Sequence, residues 1–193
     1  KLSVSPLAKI HQTMLEKIGV FLSSNPHLSA ACLKAADALG TWIGSTGRTL
    51  VYGGNTSGLM GHLAEAVNRS GGRIFGVVPQ RLFDMGCVSP LLHVTFPTAD
   101  LADRKATMIQ ESDVFIALPG GLGTLDEVFT VLAAATLQFE HRPVILYNVE
   151  GCWDHLLALL EDLHRRKLID KRPEAYLKVV GSIEELEAVI ADL

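Results

Sequence analysis

The sequence predicts an α/β fold, a three-layer, doubly wound sheet of about seven mostly parallel strands with helices on both faces. Three observations predict it. Short apolar runs such as Val114–Leu118 are continuous rather than alternating, as in strands buried on both faces. These runs alternate with segments of helical period, which implies βαβ units. Glycine- or serine-rich turns follow Leu22, Tyr52 and Leu118, at strand ends where ligands bind in such sheets.

The elements follow in order. Ile18–Leu22 is a strand, stopped by Ser23-Ser24-Asn25-Pro26, and a short helix started by Ser5-Pro6 precedes it. A helix over Leu28–Ile43 ends at Gly44-Ser45-Thr46-Gly47. Thr49–Tyr52 is a strand, Gly58–Asn68 a helix and Arg73–Val78 a strand closed by Pro79. Gln80–Leu92 lacks period and reads as a loop, and Leu92–Phe96 as a strand. Leu101–Ser112 is a helix with Asp100 as N-cap, followed by the strand Val114–Leu118 and a helix over Thr124–Phe139. Pro143–Tyr147 is a strand, Trp153–Arg166 a helix, Leu177–Val180 a strand and Ile183–Leu193 a helix. Nothing resembles a linker, so one nucleotide-binding domain over residues 1–193 is expected.

The chain has 193 residues, 48% hydrophobic and 20% charged, with a net charge of −4. That charge argues against nucleic acid as a partner, which would need a basic face. No apolar run approaches the ~20 residues of a membrane span. Cys32, Cys87 and Cys152 are far apart and show no metal-ligand spacing, so reduced core thiols, no metal and a cytoplasmic setting are expected. No signal peptide is expected, although the sequence begins at Lys1.

Pro119-Gly120-Gly121-Leu122-Gly123-Thr124-Leu125-Asp126-Glu127 carries the most chemistry. A glycine turn between strand and helix leaves backbone N–H groups free at the helix start, where an anion can sit. The dinucleotide pattern G-x-G-x-x-G fails here, because Asp126 stands where the third glycine belongs. The Walker pattern is absent from the chain. Gly53-Gly54-Asn55-Thr56-Ser57-Gly58-Leu59-Met60-Gly61 is a second such turn, and the two can face one extended ligand.

Glu127 admits two readings. Thr124-x-x-Glu127 fits a capping box, and Ser182-Ile183-Glu184-Glu185 fits the same pattern without a glycine turn. The glycines of 119–123 exceed what a cap requires, which favours a catalytic carboxylate. In the first turn of a helix its pKa should tend down, so it should act ionised. Leu125, Val128, Leu132 and Ala135 supply the core face, with Glu127 and Thr130 off it. Arg104 and Lys105 sit at the unfavourable end of their helix for cations. Either Asp100 and Asp103 neutralise them in solvent, or an anionic partner, phosphate or Glu127, holds them.

Taken together these motifs resemble the Lonely Guy (LOG) family, the cytokinin riboside 5′-monophosphate phosphoribohydrolases. Pro119–Glu127 is similar to its P-G-G-x-G-T-x-x-E, Gly53–Gly61 to its G-G-G-x-x-G-L-M-G, Gly76–Pro79 to its G-V-I-P and Arg104-Lys105 to the end of its M-H-x-R-K. Pro143–Gly151 follows P-V-x-L-x-N-x-x-G, so the likeness runs from Ile18 to Ile169. Departures are Leu101 and Ala102 for the family's methionine and histidine, Asn55 for a glycine, and Phe21-Leu22-Ser23-Ser24-Asn25 for F-C-G-S-S.

The resemblance implies a Rossmann-like fold, a homodimer and no cofactor. It implies cleavage of the N-glycosidic bond of a purine nucleoside 5′-monophosphate, AMP or an N6-modified AMP, to free base and ribose 5-phosphate. Glu127 and Arg104 would be catalytic. Gly120, Gly121, Leu122, Gly123 and Thr124 would hold the phosphate, with Asp126, Lys105, Ser24, Gly54 and Met108 as further substrate contacts. The older decarboxylase label of the family fits poorly. A pyridoxal-phosphate enzyme needs a Schiff-base lysine, and the one lysine near a motif, Lys105, sits on a helix beside Arg104. A nucleotide or molybdenum-cofactor carrier is the alternative from a different class.

Overall fold

The computed structural model describes residues 15–136 and 142–193. The elements are β1 (Lys17–Phe21), α1 (Ala30–Ser45), β2 (Thr49–Tyr52), α2 (Gly58–Arg69), β3 (Arg73–Pro79), α3 (Gln80–Asp84), β4 (Val94–Thr98) and α4 (Leu101–Gln110). They continue with β5 (Val114–Ala117), α5 (Leu122–Thr136), β6 (Val144–Tyr147), α6 (Asp154–Arg165), β7 (Lys178–Val180) and α7 (Ile183–Ala191). The predicted helix at Ser5-Pro6 and the predicted end of α5 at Phe139 lie outside the described residues.

All seven strands form one sheet in the order β4-β3-β2-β1-β5-β6-β7, and every neighbouring pair is parallel. The winding reverses at β1, which pairs with β2 on one side (Ile18 opposite Leu50) and β5 on the other (Ile18 opposite Val114). In a doubly wound sheet this reversal opens a crevice past the strand ends.

Side chains alternate along each strand, so each face of the sheet has its own core. Ile18, Val20, Leu50, Ile74 and Ile116 pack with Leu39, Ile43 and Leu63 of α1 and α2. Phe21, Val51, Val77, Phe115 and Leu146 pack with Met108, Val128 and Trp153 of the opposite layer. Phe21 and Phe115 stack with centroids 4.8 Å apart. These apolar residues are almost all fully buried, which is why the strands read as unbroken hydrophobic runs.

Three expectations are corrected. The stretch after Pro79 is not all loop: Gln80–Asp84 forms the short helix α3, too brief to show a period. Of the cysteines only Cys32 is buried; Cys87 is half-buried and Cys152 exposed, though all three are free thiols. Helix α5 begins at Leu122, two residues before the predicted start. Among the described residues no helix is long and apolar enough to cross a membrane.

Candidate functional site

The three glycine- and serine-rich turns converge at the winding reversal. Backbone bonds join them: Ser23 N–H donates to Pro119 O (3.2 Å) and Leu59 N–H to Ser23 O (3.1 Å). Gly58 permits this closeness. It holds φ +59°, and a Cβ there would stand 2.4 Å from Asn25 O. Between the turns lies a cavity of about 350 Å³ lined by Leu22, Ser23, Ser24, Asn25, Met60, Arg104, Gly121, Gly123, Thr124 and Glu127. A second cavity of about 560 Å³ shares Ser24, Met60 and Arg104 with it, so the two form one cleft. Gly53, Pro79, Arg81, Leu82, Met85 and Leu101 line its outer part.

Glu127 occupies the second turn of α5 and is 6% exposed. Arg104 Nη1 lies 3.0 Å from its Oε1. The guanidinium is anchored again by Nε donating to Val77 O at 3.3 Å. Gly53 gives it room: a Cβ there would stand 2.3 Å from Nη2. Lys105 follows Arg104 in sequence but points elsewhere, its Nζ 2.8 Å from both carboxylate oxygens of Asp126. The anionic-partner reading therefore holds for Arg104, which meets Glu127; Lys105 meets Asp126 instead, a partner that sequence reasoning did not name. Asp100 is occupied with capping α4 through the N–H groups of Ala102 and Asp103, and Asp103 accepts from Ala99 N–H.

The capping box separates the two T/S-x-x-E sequences. Ser182 accepts from Glu185 N–H, and Glu185 reaches back to Gly181 N–H. Thr124 caps nothing: it lies inside α5, 3% exposed, over Gly120. Because α5 starts at Leu122, Glu127 is beyond the reach of the helix-terminal field. The expected downward pKa is corrected accordingly. Burial pushes the Glu127 carboxyl above the usual carboxylate range, against the pull of Arg104. The helix start does leave the N–H groups of Leu122, Gly123 and Thr124 without intrahelical acceptors, at a turn that also lines the cavity.

Not every expected contact reaches the cleft. Arg104, Glu127, Gly121, Gly123, Thr124 and Ser24 line it. Gly120, Leu122, Lys105, Asp126, Gly54 and Met108 do not. Gly54 turns toward Val78 while Gly53 faces the cleft. Leu122 is 87% exposed, and Met108 is 1% exposed in the core. Asn25 and Met60 also line the cavity, though sequence reasoning did not single them out. Met60 lies inside the quoted Gly53–Gly61 motif, but only the approach of α2 to the turn after β1 brings it to the site.

Comparison with known proteins fits this geometry. The profile of a family described as "Possible lysine decarboxylase" matches residues 60–190. The chain is 34% identical over 181 residues to the cytokinin riboside 5′-monophosphate phosphoribohydrolase LOG1 of Arabidopsis thaliana, covering 94% of this chain and 85% of the relative. It is 41% identical over 145 residues to a probable enzyme of the same name from Oryza sativa, covering 75% of this chain and 59% of the relative's length. Among solved structures, a molybdenum cofactor binding protein from Rippkaea orientalis superposes with a TM-score of 0.70 at 26% identity, covering 93% of this chain and 98% of the other.

Proposed function

This chain belongs to the family of the cytokinin riboside 5′-monophosphate phosphoribohydrolases, and on that footing we propose that it hydrolyses the N-glycosidic bond of a purine nucleoside 5′-monophosphate. The products are the free base and ribose 5-phosphate. The substrate is AMP or an N6-modified AMP, and no cofactor takes part.

The observation that carries this reading is the Arg104–Glu127 pair, buried yet open to a cleft that a glycine turn also lines. Departure of the base leaves positive, oxocarbenium-like charge on the ribose. A carboxylate beside C1′ stabilises that charge or takes a proton from the attacking water. Arg104 fixes the direction of Glu127 and favours its charged form against the burial that raises its pKa, since the guanidinium lies 3.0 Å away. The free N–H groups at the start of α5 receive the 5′-phosphate. The phosphate thereby anchors the ribose over Glu127, and the base extends toward Met60, Leu82 and Leu101. Asp126 and Lys105, which bond each other, act outside this contact set.

We also propose a homodimer in a cytoplasmic setting. Leu122 and Phe129, seven residues apart on α5, and Leu101 at the cleft are exposed apolar residues, a surface suited to a second copy. The carrier reading draws on the likeness to the molybdenum cofactor binding protein. A carrier has no use for a buried ion pair aimed at the ligand. Turnover of AMP compared with adenosine tests the proposal: AMP should be cleaved and adenosine hardly at all. Equal rates would remove the phosphate role, and binding of AMP without release of base would favour the carrier.

A further inference from the structure

Arg104 and Lys105 are consecutive in α4, and Asp126 and Glu127 are consecutive in α5. The four form two adjacent ion pairs between the helices. The inner pair, Arg104–Glu127, faces the cleft with side chains 15% and 7% exposed. The outer pair, Lys105–Asp126, faces away with side chains 23% and 58% exposed. Consecutive helical residues point about 100° apart, so neither pair can replace the other.

Glu127 is held by one oxygen on one guanidinium, and no other described side chain bonds it. Its direction therefore depends on how α4 and α5 are registered. Lys105 fixes that register through both oxygens of Asp126, each at 2.8 Å. We propose that Lys105 and Asp126 are positioning residues, whose ion pair locks α4 onto α5 and so holds Arg104 and Glu127 in the geometry that cleaves the N-glycosidic bond. The proposal rests on the hydrolase reading above and departs from the expectation that Lys105 and Asp126 touch the substrate.

The charged groups facing Glu127 are Arg104 and Lys105 from α4 and Asp126 from its own helix. The turn after β1 and the start of α2 present Ser23, Ser24, Asn25 and Met60, none of which titrates. Lys105 lowers the Glu127 carboxyl pKa and Asp126 raises it. Removing each partner should then shift the Glu127 titration in opposite directions, which checks that both charges face Glu127, while the loss of kcat with little change in KM reads the positioning itself.

The test uses Lys105→Met, Asp126→Asn, Lys105→Arg and the exchange Lys105→Asp with Asp126→Lys. The first two should lower kcat about tenfold, because small misplacements of reacting groups are costly. KM should change by less than about threefold, since neither residue lines the cleft. Lys105→Arg and the exchange should recover most of kcat. Carbon-13 NMR of the Glu127 carboxyl, in protein without nucleotide, should show its midpoint rising in Lys105→Met and falling in Asp126→Asn. Unchanged kcat in both single variants, or midpoints that stay or move the same way, overturns the proposal. If the wild type turns over no nucleotide, the hydrolase reading fails separately, and the NMR midpoints still decide the role of the pair.

Discussion

Replacing Arg104 by methionine should cost stability in a pH-dependent way. The substitution keeps length and removes the charge that faces Glu127 at 3.0 Å. Two unit charges about 4 Å apart attract by ~4 kcal/mol at an effective dielectric near 20. Removing one partner of a buried pair costs ~3–5 kcal/mol when the other charge stays buried and unpaired. Glu127 can escape that cost by taking up a proton, at ~1.4 kcal/mol for each unit by which the pH exceeds its unfolded pKa.

The sign follows from linkage. In the variant the folded-state pKa of Glu127, already raised by burial, rises further above its unfolded value. Folding then favours the protonated carboxyl. The penalty is absent below the unfolded value, grows as pH rises toward the folded one, and then stays constant. Urea unfolding of Arg104→Met at pH 5 and pH 8 should show a loss of about 1 kcal/mol at the lower pH and about 3 kcal/mol at the higher. Adding Glu127→Gln should abolish the pH dependence and restore most of the stability, without restoring activity. A loss independent of pH, or unchanged by Glu127→Gln, would refute the ion-pair account.

Three further outcomes follow from the same geometry. Gly53→Ala places a Cβ 2.3 Å from Arg104 Nη2. The end of a long side chain can move aside, so kcat should fall about tenfold or more while the melting temperature holds within about 3 °C; steady-state kinetics with a thermal melt checks both. Ser182→Ala removes the N-cap of α7 and should cost ~1 kcal/mol by urea titration with kcat unchanged. The pH profile of kcat/KM should lose activity on the acid side at a midpoint above the ordinary carboxylate range, because burial raises the Glu127 carboxyl and the reaction uses its ionised form.

Much of this was legible in the sequence, for physical reasons. Strands such as Val114–Ala117 are buried on both faces, so their composition alone marks them. The turns at Gly53 and Gly120 marked strand ends, and the sheet order brings those ends together at β1. What failed depended on tertiary placement. Thr124-x-x-Glu127 left a cap open beside a catalytic carboxylate, because local pattern cannot show that α5 begins at Leu122. The pKa direction of Glu127 followed from that misplaced start, and its burial reversed it. Lys105 was expected at the substrate from the family resemblance, and in the structure its ammonium meets Asp126 away from the cleft lining. Met108 was counted as a contact, but it lies in the core beneath α4.

Product analysis decides whether Glu127 cleaves an N-glycosidic bond. Purified protein incubated with AMP and with an N6-modified AMP is assayed for free base and ribose 5-phosphate, beside Glu127→Gln. The account predicts equimolar base and sugar phosphate from the wild type and none from the variant, with both proteins folded. Full activity in Glu127→Gln, or intact nucleotide after incubation with the wild type, would contradict it.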